Sequence, residues 1–175
     1  MEEEQLIKKV LEGNAQAQKM FYDRFASKMY GVSLRFAHDK EEAGDILQEG
    51  FVKVFSNLSS YRNEGSLEGW VRRTIINTAI NYYKKNLKHR SNADIDKIVI
   101  YEKSDDVSAI DQLSAGELMK LISELPDGYR AVFNLYVIEG YQHNEIGDLL
   151  NISENTSKSQ LARARAYLQK RITNR

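Results

Sequence analysis

Trp70-Val71-Arg72-Arg73-Thr74-Ile75-Ile76-Asn77-Thr78-Ala79-Ile80-Asn81-Tyr82-Tyr83-Lys84-Lys85-Asn86-Leu87-Lys88-His89-Arg90 contains no aspartate or glutamate, although the chain as a whole has 25 acids and 25 Lys and Arg. Val71, Ile75, Ile76, Ala79, Ile80 and Tyr83 recur at helical spacing and make an apolar stripe. Trp70, Arg73, Asn77, Asn81, Lys84 and Lys88 fall on the opposite side, at steps of three and four. Ser66 is placed to cap the start. The stretch predicts a helix with one packed face, the other carrying cations, amides and an indole.

Outward from it the same period continues. Proline occurs once, at Pro126, and apolar residues recur at three and four rather than two, so the fold class is all-α. Before the quoted stretch the sequence predicts a short helix over 4–11, ended by Gly13-Asn14. A longer helix over 15–38 follows, with a break near Ala26-Ser27 and a core face of Phe21, Phe25, Met29, Val32 and Phe36. Asp39 and Glu42 read as a capping box for a helix to about Leu58. Its buried face is Leu47, Phe51, Val54, Phe55 and Leu58, while Asp45, Gln48, Glu49, Val52 and Ser56 share the other side. Ser59 to Ser66 is a polar loop.

After Arg90 the character changes. Residues 91–111 are acidic and read as a flexible, mostly extended linker, with Ile95 to Ile100 able to form a helix or a strand. The expected organisation is therefore two small helical domains, 1–90 and 112–175, joined by that linker. Ser114 and Glu117 repeat the capping box, with Leu118, Leu121, Ile122 and Leu125 facing inward. Asp127 is the expected cap of a helix over 129–139, stopped by Gly140. A short helix over 142–150 closes at Asn151, and Ser153 caps a last helix to about Thr173, with Leu161, Ala164, Leu168 and Ile172 inward.

The totals exclude several function classes. No cysteine means no disulfide, thiolate metal site or cysteine nucleophile. His38, His89 and His143 are scattered without ligand spacing, so no metal and no cofactor is expected. No apolar run approaches a membrane span and Met1-Glu2-Glu3-Glu4 is unlike a signal peptide, which predicts a cytoplasmic protein without membrane insertion. Net charge is zero, but residues 1–90 carry 15 Lys and Arg against 12 acids, residues 91–128 carry 3 against 9, and residues 129–175 carry 7 against 4. Two mildly basic blocks flank an acidic middle, and such asymmetry informs on partners more than the total does.

A face of cations, amides and aromatics suits a nucleic-acid strand: cations displace phosphate counterions, and rings stack on unpaired bases for roughly 1–3 kcal/mol each. A solvated basic helix with its rings in the core is the rival reading. The C-terminal segment is more specific. A short helix, a tight turn, a Ser cap and a polar-loaded helix make a helix-turn-helix, with Ile146, Leu149, Ile152 and Leu161 at the contact. Asn155, Thr156, Lys158, Ser159, Gln160 and Arg163 crowd the start of the second helix, where a recognition helix meets base edges. No acid occurs from Asn155 to Arg175.

Asp45-Ile46-Leu47-Gln48-Glu49-Gly50-Phe51, then Gly69-Trp70-Val71 and the basic helix, resemble region 2 of bacterial RNA polymerase sigma factors. Leu125-Pro126-Asp127-Gly128-Tyr129-Arg130, Glu139-Gly140-Tyr141 and Thr156 to Arg165 resemble region 4. With only these two regions, the layout is similar to that of the extracytoplasmic-function (ECF) sigma factors of the sigma-70 family. The resemblance implies an alternative sigma factor, without catalytic residues, that binds core polymerase and directs promoter-specific initiation.

On this chain it implies polymerase docking at the β′ coiled coil by Asp45, Leu47, Gln48, Glu49 and Val52, and a region 4 contact with the β flap. It implies melting and reading of the minus-ten element by Tyr61, Asn63, Glu64, Trp70, Arg73, Asn77, Asn81, Tyr82 and Lys84. The minus-thirty-five element falls to Ser153, Asn155, Thr156, Lys158, Ser159, Gln160 and Arg163. Promoter DNA and an anti-sigma factor are the other implied partners. Departures are Gly147 for a usual Ala, expected to weaken its helix, Ser157 for a usual Val, expected to loosen packing, and Asn81 for a common Asp. A stand-alone helix-turn-helix regulator, with the N-terminal half for interaction, is the alternative. An enzyme is disfavoured because Asp45 and Glu49, though a possible carboxylate pair, have no nucleophile, histidine partner or glycine-rich loop beside them.

Overall fold

The computed structural model describes residues 1–90 and 113–174, whose regular elements are all helices, with no strand among the described residues. The expected linker lies outside them. The chain divides into two compact units, Met1–Tyr83 and Lys84–Arg175.

In the first unit α1 (Glu3–Leu11) ends at Gly13, whose φ of 79° reverses the chain. Asn14, expected only as part of that stop, also caps α2 (Ala15–Phe36): its side chain accepts from the Ala17 N–H. The anticipated break at Ala26-Ser27 does not occur. Phe21, Phe25, Met29, Val32 and Phe36 are all buried, and this uninterrupted stripe carries α2 through as one helix. It ends two residues short of His38, because Asp39 opens α3 (Lys40–Asn57). Asp39 Oδ1 accepts from Glu42 N–H at 2.8 Å as expected, but the return half of the box is shifted: the Glu42 carboxylate accepts from the His38 N–H, one residue ahead of the cap.

The core face of α3 is rotated from the expected one. Ala43, Ile46, Gly50, Phe51 and Val54 are buried, whereas Leu47 and Phe55 are half-buried. Gly50 explains the rotation: a Cβ there would run into Ile75 Cδ1, so the glycine marks where α3 approaches α4 (Leu67–Arg90). Leu58 is buried as expected, in a short 3-10 turn after α3. Ser66 caps α4, its Oγ accepting from Gly69 N–H at 3.0 Å. Leu67, Val71, Ile75, Ile76, Ala79 and Ile80 are buried, Tyr83 only half so. Thr78 joins the buried set, its hydroxyl satisfied by the Thr74 carbonyl.

The second unit holds α5 (Ala115–Ser123), capped by the full Ser114–Glu117 box. Asp127 is not the cap of the next helix. It is the first residue of α6 (Asp127–Phe133), and its carboxylate pairs at 3.1 Å with Arg130, a nearly enclosed cation that also donates to the Ser123 carbonyl. α6 continues into a π turn, Asn134–Ile138, and Gly140 at φ 77° ends it. α7 (His143–Leu150) and α8 (Glu154–Thr173) complete the unit, with Asn151 left-handed between them at φ 55° and ψ 45°. Leu121, Ile122, Val132, Leu135, Ile146, Leu161, Ala164 and Leu168 form the core. Leu149, Ile152 and Ile172, expected inside, are half-buried.

Candidate functional site

In the first unit the packing of α3 against α2 fixes which side chains stay in water. Asp45, Gln48, Glu49 and Val52 are exposed along one side of α3, and Val52, at 60%, is the most exposed large apolar residue among the described residues. Leu47 borders them, half-buried. At that exposure Val52 gains little of the roughly 1.5–3 kcal/mol that full burial of such a side chain is worth. Glu49 Oε1 pairs with Lys53 Nζ at 3.1 Å, and its Oε2 accepts from the Tyr82 hydroxyl at 2.9 Å.

Arg73, Asn77 and Asn81 are exposed at successive turns of α4, and Lys84, half-buried, lies further along the helix. The loop before α4 is closed on itself rather than loose. Asn63 and Gly65 both have positive φ, at 60° and 84°, and the Tyr61 hydroxyl donates to Gly65 O at 2.9 Å. The Tyr61 ring sits 5.7 Å from that of Trp70, tilted by 55°, which ties the loop to the first turn of α4. Burial, then the charge of Glu3, raises the Tyr61 phenol above its usual range, so it stays protonated. Tyr61 and Asn63, with Ile7, Lys8 and Leu11 of α1, also line a groove of about 460 Å³. The part played by α1 was not legible in the sequence, because it joins residues 50 or more positions apart.

In the second unit Ser153 caps α8: its Oγ accepts from Thr156 N–H at 3.0 Å and lies 2.8 Å from Thr156 Oγ1. Both hydroxyls, expected at a minus-thirty-five element, are thus engaged at the cap. Asn155, Lys158 and Ser159 are exposed and Arg163 is half-buried. Gln160 is half-buried too, and its Oε1 is enclosed without a hydrogen-bond partner. Lys158 pairs with Glu154 at 3.4 Å, a surface pair of small energetic weight.

Two departures noted in the sequence acquire structural reasons. Ser157 does not loosen the packing. It is fully buried, and its Oγ shares a 2.8 Å hydrogen bond with His143 Nδ1, whose ring stacks on Tyr136 at 4.4 Å. Burial first, then Lys158 and Arg165, lower the His143 pKa against an opposing effect of Glu154. Gly147 is required by the turn: a Cβ there would lie 2.7 Å from the Ile152 carbonyl oxygen.

This two-unit arrangement has close counterparts. The family model for sigma-70 region 2 matches residues 21–89, and that for sigma-70 region 4 matches residues 115–168. ECF RNA polymerase sigma factor SigM of Bacillus subtilis is 32% identical over 149 residues, covering 85% of this chain and 90% of that protein. ECF RNA polymerase sigma factor SigW of the same species is 30% identical over 176 residues, covering 95% and 94%. RNA polymerase sigma-H factor of Pseudomonas aeruginosa is 25% identical over 181 residues, covering 98% and 94%. Among solved structures, the sigma factor RpoE from Bartonella quintana, crystallised with the anti-sigma factor NepR, shares the fold with a TM-score of 0.53 at 17% identity, covering 87% of this chain and 94% of that one. The matches over both units, in this order, place the chain in the sigma-70 family, as an alternative sigma factor of the ECF type that acts in promoter-specific initiation of transcription.

Proposed function

We propose that residues 1–90 dock on core RNA polymerase and open and read the minus-ten element, that residues 112–175 read the minus-thirty-five element as duplex, and that residues 91–111 link the two. The observation that carries this reading is the pair of exposed faces in the first unit. On α3, Asp45, Gln48, Glu49 and Val52 offer carboxylates and an amide around an apolar anchor, suited to a basic partner such as the β′ coiled coil, with Leu47 at the margin. On α4, Arg73, Asn77 and Asn81 offer cation and amides without carboxylates in their own sequence stretch. Trp70 with Lys84, and Tyr61, Asn63 and Glu64 of the closed loop, complete the strand surface.

Extruding a base costs a few kcal/mol, which capture and stacking by the protein offset. Duplex recognition by α8, through Asn155, Lys158, Ser159, Gln160 and Arg163, supplies position without melting, with Ser153 and Thr156 holding the helix start. A region 4 contact with the β flap, an anti-sigma partner and a cytoplasmic location belong to the same reading. Phosphodiester chemistry remains with the polymerase. Among the described residues no helix is long and apolar enough to cross a membrane.

Run-off transcription on genomic fragments, with core polymerase plus and minus the chain, tests the reading. Discrete start sites that appear only when both are present are expected. Failure to confer start-site choice, together with unaided shifting of double-stranded targets, would instead identify a stand-alone regulator.

A further inference from the structure

The family resemblance groups Tyr82 with the strand readers, but its surroundings differ from theirs. Its hydroxyl crosses from α4 to α3 and donates to Glu49 Oε2 at 2.9 Å. Burial, that bond, and the charges of Glu49, Asp45 and Glu42 push the phenol up to about 12, so it remains a donor throughout the physiological range. A DNA phosphate brought to this hydroxyl would meet the Glu49 carboxylate first, with Asp45 and Glu42 adding negative charge from the same helix, and like charges repel even through water. A cation brought to the same place would be drawn by the negative charge that Lys53 leaves uncompensated.

We propose that Tyr82 is a positioning residue of the polymerase-docking surface, fixing the Glu49 carboxylate for a basic side chain of core polymerase, and not a reader of the separated strand. With Lys53 on Oε1 and Tyr82 on Oε2, Glu49 is held in place before the partner arrives. Less side-chain freedom is then lost on docking, which is how preorganisation raises affinity. The inference rests on the function proposed above and extends the docking surface from one helix to two.

The test titrates the full-length chain with core polymerase and follows promoter opening by permanganate reactivity of unpaired thymines. Tyr82→Phe keeps the ring and removes the donor. It should raise the core concentration at half-maximal opening by roughly 3- to 10-fold while the plateau matches the wild-type chain, the size expected for the net worth of one ordinary hydrogen bond. In a Glu49→Ala background the same substitution should add nothing further. A lowered plateau with an unmoved midpoint would assign Tyr82 to the strand and overturn the proposal. Independent, multiplying effects of the two substitutions would overturn it as well. A wild-type chain that opens no promoter at any core concentration would defeat the parent function, and this placement with it; a normal wild-type titration with an unchanged Tyr82→Phe curve defeats the placement alone.

Discussion

Replacing Gly147 by alanine sets two effects of known sign against each other. In an exposed helix interior the change gains about 1 kcal/mol, because alanine loses less backbone freedom on folding. Here the new Cβ would lie 2.7 Å from the Ile152 carbonyl oxygen, where carbon and oxygen normally stay about 3.3 Å apart. The atom in the way is backbone and cannot swing aside like a side-chain end. It belongs to the turn in which the Ile152 N–H bonds to Gly147 O at 3.0 Å and Asn151 is left-handed. Overpacking of this kind costs about 1–3 kcal/mol. Set against the gain of about 1 kcal/mol, this leaves a net loss of up to about 2 kcal/mol in the second unit, and about 4–8 °C in its Tm for each kcal/mol.

Thermal unfolding of the full chain measures this with an internal control. Trp70, the sole tryptophan, reports the first unit by fluorescence, while far-ultraviolet circular dichroism reports both. Gly147→Ala should lower the dichroism transition that fluorescence does not follow. Gly31→Ala in α2, where a Cβ meets nothing within 4 Å, should raise the fluorescence transition by the propensity gain alone. A raised second-unit midpoint in Gly147→Ala would show that the turn yields cheaply, and the steric argument would fail.

Glu49→Lys should abolish retention on immobilised core polymerase with an unchanged dichroism spectrum, and persistent retention would contradict the docking face. Arg163→Ala should weaken binding of holoenzyme to minus-thirty-five duplex by about 1–3 kcal/mol in fluorescence anisotropy titrations, the value of a bidentate base contact. The second unit should lose stability as pH falls. His143 binds its proton less readily when folded than the usual 6.5 of an unfolded histidine, so the unfolded state takes up more protons and stability declines below about that pH. Denaturant midpoints between pH 5 and 8 check this, and His143→Gln should flatten the dependence.

Caps, glycine stops and acid-free faces were legible because each is a local pattern, complete within a few residues. Ser66, Asp39, Ser114, Ser153 and Gly140 all lie where side chain and backbone alone require. The unbroken course of α2 was missed because Ala26-Ser27 is a weak local signal, overridden by tertiary burial on both sides of it. Which of Ile46 and Leu47 enters the core was not legible either, since the approach of Gly50 to Ile75 decides it. The π turn, the Ser157–His143 pair and the Tyr82–Glu49 bond join features with no shared local motif. Of the candidate site, the exposed strips could be anticipated; the bonds that hold particular side chains within them could not.

Gly50 has a geometric consequence beyond packing. Where it meets Ile75, α3 has no side chain of its own between its backbone and α4. Any side chain added at position 50 would therefore have to move Ile75 before α3 could sit this close to α4, so the spacing of the two helices is set by the smallest residue available.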